Sequence, residues 1–303
     1  MSILSRPEFH SEESAYAYVE ARIWANGRFC PHCGECERTN KLGGKSTRAG
    51  LYKCYSCRKP FTVKIGTIFE DSHVAMHLWL QAIYLMCASK KGISSNQLHR
   101  TLGVTLKTAW FMSHRIREAV RDDTFFSFGS GGGIVEADET FIGREPGTKV
   151  ARAYHHKMKV VSLVDRTTGR AKSVVVDKLT IATITPILNA NVAREATLHT
   201  DEALHYRVPG KTFAAHGVVE HGKDEYVRGD VHTNTIEGFF SIFKRGMRGV
   251  YQHCGKGHLH RYLSEFDFRY SNRAALDVTD TMRADIALMG VVGKRLTYET
   301  IGA

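Results

Sequence analysis

Two C-x-x-C pairs, Cys30-Pro31-His32-Cys33 and Cys54-Tyr55-Ser56-Cys57, stand twenty residues apart near the start of this chain. Each pair presents two thiolates to one ion, and four thiolates complete a tetrahedral structural Zn²⁺ site. Between them Gly43, Gly44 and Gly50 signal turns, and Leu51-Tyr52-Lys53 reads as a short strand. The expected product is a ribbon stapled by one zinc ion. A redox C-x-x-C would need a single pair in a βαβ setting, which is not the pattern here. Cys36 is expected to be a bystander, and Cys87 and Cys254 to be packing residues. The first residues, MSILSRPEFHSEES, carry no apolar leader, so the cytoplasm is expected, where thiols stay reduced. The most apolar stretch, residues 74–88, contains His77 and Gln81 and falls short of the roughly 20 residues that span a bilayer. No membrane partner is expected.

Charge points to a polyanionic partner instead. The 303 residues hold 42 Lys+Arg against 31 Asp+Glu, a formal net charge of +11, as expected of a chain that meets nucleic acid. From Arg28 to Glu70 there are nine basic and three acidic residues, with Tyr52, Tyr55 and Phe61 interleaved. That mixture predicts a DNA-backbone contact. Helical spacing follows: Ser11 can cap a helix to Trp24, and residues 74–89 form an apolar helix around Trp79, Ile83 and Met86. Ser94 and Gln97 have capping-box spacing, Gly103 is a left-handed stop, and Thr105 can cap a helix from Leu106 to Arg121. This is a helix-turn-helix pattern, whose second helix would enter the major groove. Lys107 and Thr108 would meet bases, and Arg115, with Arg117 and Arg121, would face phosphates or solvent. Specific DNA recognition is therefore assigned to residues 1–125: a first helix and zinc ribbon over 1–70, and the helix-turn-helix over 71–125. The run Gly129-Ser130-Gly131-Gly132-Gly133 makes 126–133 a flexible joint by composition.

Beyond it, residues 133–142 read as a strand carrying Glu136, Asp138 and Glu139. Alternation puts Glu136 and Asp138 on one face and Glu139 on the other. Strands over 159–165 and 171–177, a helix over 181–191 and a strand over 196–200 that delivers Asp201 follow. That order predicts an α/β fold with a mixed sheet. If the first and fourth strands pair, Asp201 lies beside Asp138. In His232-Thr233-Asn234-Thr235-Ile236-Glu237-Gly238-Phe239-Phe240-Ser241-Ile242-Phe243-Lys244, the apolar residues recur at helical spacing. Glu237 and Lys244 are two turns apart and point the same way. Sixty-two residues separate Asp138 from Asp201, and 35 separate Asp201 from Glu237. Converging carboxylates suit a pair of Mg²⁺ or Mn²⁺ ions that activate a nucleophile and stabilise a leaving oxygen in phosphodiester chemistry. A lysine two turns beyond the glutamate can grip a DNA phosphate.

These motifs together resemble the zinc-ribbon DDE transposases of bacterial and archaeal insertion sequences, the ISXO-like group related to the Merlin elements. The Trp24…Gly27…Cys30-Pro31-His32-Cys33 segment, the Val135-Glu136-Ala137-Asp138-Glu139-Thr140 strand, Thr200-Asp201-Glu202 and the tail Phe266-Asp267-Phe268-Arg269-Tyr270-Ser271-Asn272-Arg273 carry the resemblance. It implies an RNase H-like catalytic core over 134–275, preceded by the zinc ribbon and helix-turn-helix and followed by a tail over 276–303. It also implies Asp138, Asp201 and Glu237 as the metal-binding catalytic triad, Lys244 positioning DNA, and His232 either touching the scissile phosphate or satisfying the helix start. Asn234 is the alternative third ligand. The implied activity is binding of terminal inverted repeats, 3′-end cleavage and joining to target DNA by a homodimer or higher oligomer at the nucleoid. Glu136, Glu139 and Glu202 are the neighbouring controls, of which Glu139 and Glu202 are expected to matter far less than the triad. Two rivals are a DNA-binding regulator with a decayed core and a repair or resolving nuclease. Intact acids oppose the first, and strand-transfer products separate the second.

Overall fold

Glycine turns and cysteine pairs do organise the start of the chain. The computed structural model describes residues 2–44, 46–123, 127–145, 147–150 and 154–297. The chain divides into two units, one of residues 1–89, 93–120 and 279–303 and the other of 90–92 and 121–278. The first opens on α1 (Glu12–Ile23), whose N-cap Ser11 accepts the Ser14 N–H. Strands β1 (Thr39–Lys41), β2 (Tyr52–Cys54) and β3 (Pro60–Phe61) form an antiparallel ribbon. The aromatics expected to meet DNA divide here. Tyr52 and Phe61 are buried and stack at 5.7 Å as the ribbon's own core, while Tyr55 is exposed. The Tyr52 hydroxyl donates to Glu20 at 2.7 Å and so ties the ribbon to α1.

Three helices follow, α2 (Met76–Ala88), α3 (Ser95–Leu102) and α4 (Leu106–Ala119). The predicted caps are present: Ser94 accepts the Gln97 N–H, Thr105 accepts the Thr108 N–H, and Gly103 closes α3 at φ 67°. A left-handed φ of that kind favours glycine. Lys107 is exposed on the first turn of α4, but the second half of that helix is buried.

The second unit is built on β4 (Ile134–Ile142), β5 (Met158–Asp165), β6 (Ala171–Val176), α5 (Ile181–Asn191), β7 (Thr197–Asp201), α6 (Leu204–Gly210) and β8 (Ala215–Val219). The short hairpin β9 (Val227–Arg228) and β10 (Val231–His232) leads into α7 (Asn234–Gly246) and α8 (Lys256–Ser271). Strand order in the main sheet is β6-β5-β4-β7-β8. The β4–β5 and β5–β6 pairs are antiparallel, and β4–β7 and β7–β8 are parallel. Alternate residues of β4 and β5 feed two cores. Val135, Ala137, Val161 and Leu163 meet α5 and α6 on one face; Ile142, Val160 and Val164 meet Phe239 and Phe243 of α7 and Phe266 of α8 on the other. A mixed sheet flanked by helices in this order is the expected RNase H-like core.

The glycine run is not a free joint. Phe128 is buried in the core, its N–H donating to Asn191 at 2.8 Å, and the Gly129 N–H donates to the Asp165 carboxylate at 2.9 Å. Gly129 has φ +72°, and a Cβ there would lie 2.5 Å from that of Ala196. Close approach, rather than flexibility, explains that glycine. The expected start of the joint, residue 126, lies outside the described residues.

The last described helix, α9 (Asp280–Met289), belongs to the first unit, where the sequence pattern promised only a tail. Its buried Arg283 donates to the Cys87 carbonyl of α2 at 2.9 Å. Val291 and Gly293 then bond back to Ile68 and Gly66. This segment also corrects the role of Arg115. Its guanidinium is buried and donates to the carbonyls of Ile68, Glu70 and Leu296. Burial and three carbonyl partners hold the guanidinium inside the unit, so Arg115 clasps the unit together. Arg117 is likewise buried, with a bond to Ser113 at 3.1 Å. A fragment ending near residue 125 would strip α9 from α2. Among the described residues, no helix is long and apolar enough to cross a membrane.

Candidate active site and metal centre

Four sulfurs converge in the ribbon. Cys30 and Cys57 lie 3.7 Å apart at Sγ, and Cys33 and Cys54 lie 3.6 Å apart. A tetrahedron of Zn–S bonds near 2.3 Å has edges of about 3.8 Å, whereas a disulfide would need about 2 Å. All four ligand atoms fall within 4.8 Å of one another. The Cys57 N–H pulls the Cys54 thiol down to about 7, while the neighbouring Cys33 thiol is pushed up. Cys36 stays outside, its thiol against the Gly34 carbonyl.

The carboxylate centre forms where two strands part. The β4–β7 ladder ends at Glu136–His199, and continuing that register sets Asp201 opposite Asp138. Beyond that point β7 pairs only with β8, so the edge of β4 toward β7 is open. Side chains from both faces of β4 can lean around this edge. Carboxylate oxygens of Asp138, Glu139 and Asp201 accordingly come within 4.8 Å of one another. Glu139 keeps the face that alternation gives it, that of Ala137 and Tyr206, and reaches Asp138 around the open edge. Tyr206 and His205, at the start of α6, hold the same Glu139 oxygen at 3.0 and 3.2 Å. Burial raises the Asp138 carboxyl well above its usual value, aided by the charges of Glu139, Asp201 and Glu237. Burial, then Glu139, raises Asp201 as well. A crowded all-oxygen donor set of this kind fits a hard dication, which would relieve the repulsion.

Glu237 and Lys244 approach from α7. Glu237 is exposed and accepts from Thr233 Oγ1 at 2.9 Å, with His221 Nε2 at 3.8 Å. It is outside the close trio, though its charge reaches Asp138. Burial lowers the Lys244 ammonium, against the opposing pull of Asp138. Asn234 is exposed at the first position of the helix.

What sets α7 against β4 is Glu136. Its carboxylate is fully buried, accepts the Ile236 N–H at 2.8 Å and takes Arg166 Nε at 2.5 Å. Arg166 also donates to the His232 carbonyl and ring at 2.8 Å each. Its other terminal nitrogen reaches the Asp230 carbonyl at 2.9 Å. A negative charge at a helix N-terminus is favourable, and this one lies two residues before Asp138. His232 is thus part of the same network through Arg166. Arg166→Met would leave a buried carboxylate without its cation, a change worth about 3–5 kcal/mol. Urea unfolding of the full chain should show that loss, and an unchanged midpoint would deny the clasp any weight.

Residues 131–271 match the model of the ISXO2-like transposase domain, and residues 10–60 match that of the transposase zinc-ribbon domain. The chain belongs to the zinc-ribbon DDE transposases of insertion sequences. A relative from Halobacterium salinarum, "Uncharacterized protein in transposable element ISH50", is 29% identical over 278 residues, covering 86% of this transposase and 91% of its own length. A simian T-cell lymphotropic virus intasome structure is 13% identical, with a TM-score of 0.30, over 56% of this transposase and 63% of that chain. So slight a likeness carries no argument. In the transposase, the ribbon cysteines and the Asp138–Asp201 pair assemble as the sequence predicts. Glu139 and the clasp of Glu136 with Arg166 were missed. Glu136 and Glu139 stand in the motif strand and Arg166 just after β5, yet neither role has a signature in local spacing.

Proposed function

We propose that this transposase binds the terminal inverted repeats of its element, hydrolyses the phosphodiester at each 3′ end and joins the freed ends to target DNA. The observation that carries this reading is the convergence of Asp138, Glu139 and Asp201 beneath a helix that brings Glu237 and Lys244. Two Mg²⁺ or Mn²⁺ ions, when bound, would activate the attacking hydroxyl and stabilise the leaving oxygen. Asp138 and Asp201 would hold them, with Glu237 as third ligand and Glu139 close enough to share that task. Lys244 would pair with the phosphate of the DNA end. In the first unit, one structural Zn²⁺ on Cys30, Cys33, Cys54 and Cys57 would fold the basic ribbon that grips the DNA backbone. The exposed Lys107 and neighbouring Thr108 would face bases, although the Thr108 hydroxyl also meets Thr105 at 2.8 Å. Synapsis of two ends implies a dimer or larger assembly on DNA.

The test is a plasmid donor carrying the inverted repeats that flank the gene, incubated with protein and Mg²⁺. Cleaved ends covalently joined to a second plasmid are expected. Cleavage without joining would favour a resolving nuclease, and binding without cleavage would favour a regulator.

A further inference from the structure

Beside the carboxylate cluster lies a cavity of about 210 Å³ that the reading above leaves unused. It is smaller than the roughly 300–1,000 Å³ of sites that enclose a whole small molecule. Phe141, Met158 and Met247 give it apolar walls, Lys157 lines it half-buried, and Arg248 and Gln252 are exposed. Phe141 is three residues beyond Asp138 on β4, about 10 Å along the strand. That is no more than about three nucleotides of a strand rising 3.4 Å each. Phe141 is backed by Tyr154, with ring centroids 5.1 Å apart and planes at 18°. Tyr154 is 54% exposed, and Lys157 Nζ sits 4.7 Å from its ring centroid.

The α7 face that carries the site residues continues to this cavity. Arg248 comes four residues after Lys244 and eleven after Glu237, in a π-helical turn over Met247–Tyr251. Such turns are frequent at functional sites. The next residue, Gln252, has φ 57° and ψ −53°, a strained backbone for a side chain that lines the cavity. Among the described residues, no carboxylate pairs with Lys157 or Arg248. An apolar slot with an aromatic wall and two such cations suits a planar base and its phosphate.

We propose that this cavity seats one unpaired nucleobase of the DNA strand that passes the carboxylate cluster, with Lys157 and Arg248 on its phosphate. The proposal rests on the end-cleavage reading. Holding a base there would draw the strand out of the duplex and bring the scissile phosphate to Asp138 and Asp201. Unpairing is least costly where the base is already mismatched, which supplies the test.

Full-length zinc-loaded protein is bound in Ca²⁺ to end duplexes carrying 2-aminopurine at each position within four nucleotides of the cleaved bond. One position should change its emission severalfold, and Arg248→Ala should remove that change. In Mg²⁺, Arg248→Ala and Phe141→Ala should each slow cleavage of the paired duplex by about tenfold, the scale of one stacking contact. A mismatch at the responsive position should restore most of the rate. Arg248 is exposed, so its variant reports even if Phe141→Ala misfolds. Wild-type cleavage with no responsive position overturns the base seat alone, as does an Arg248→Ala defect that the mismatch leaves untouched. Wild-type protein that cannot cleave its ends would overturn the end-cleavage reading and this proposal with it.

Discussion

Asp138→Ala and Asp201→Ala should each lower end cleavage by about 10⁴-fold or more, while affinity for the ends stays within about threefold. Both carboxylates sit in the cluster where β4 and β7 part. Removing either one dismantles a shared binding centre, so the double variant should be hardly worse than either single one. End affinity should survive because the basic ribbon and the α3–α4 pair lie in the other unit. Glu139→Gln should cost less, roughly 10–100-fold, the range seen when support for a metal centre is weakened. Glutamine can still accept from Tyr206 but brings no negative charge. Ca²⁺, with looser coordination than Mg²⁺, should permit binding with little turnover. Gel assays of cleavage and of end binding, run in parallel, measure both quantities. Asp138→Ala protein that still cleaves would falsify the assignment.

Withdrawing zinc should unfold the ribbon outright. Its buried apolar cluster is Cys30, Tyr52, Cys54 and Phe61, and two of these four are themselves metal ligands. Structural zinc supplies about 10–16 kcal/mol to modules of this kind, more than so small a core can replace. Chelation or Cys54→Ser should therefore expose Tyr52 and Phe61, visible as a shift in tyrosine and tryptophan fluorescence, and abolish preference for the element's ends. Cys36→Ser is the control, since its thiol stays apart from the four sulfurs. Metal analysis should return one zinc per wild-type chain and none for Cys54→Ser. Full zinc content in Cys54→Ser, with unchanged end binding, would remove these cysteines from the site.

Elements whose causes are local were legible in the sequence. Ser11, Ser94, Thr105 and Gly103 sit at the helix ends where capping chemistry puts them. The ribbon pairs, β4 through β7 and α7 followed from spacing, because caps, turns and apolar periodicity act within a few residues. The sequence made Asp138 and Asp201 neighbours only on condition that β4 and β7 pair, and the structure supplies that pairing. The remainder depended on contacts far apart in the chain. Glu136 bonds to Ile236 one hundred residues on, Arg115 to Leu296 across 181, and Arg283 to Cys87 across 196. Nothing near Arg115 distinguishes a buried clasp from a phosphate ligand, since its helical spacing is the same in either role. Alternation placed Glu139 on the face of β4 opposite Asp138, but only the parting of β4 from β7 lets the two carboxylates meet around the strand edge. Sequence alone therefore determined most of the elements and, among the converging acids, Asp138 and Asp201. Only the tertiary structure decided which charges are spent on holding those elements together, because burial and distant partners set the role of a charged side chain.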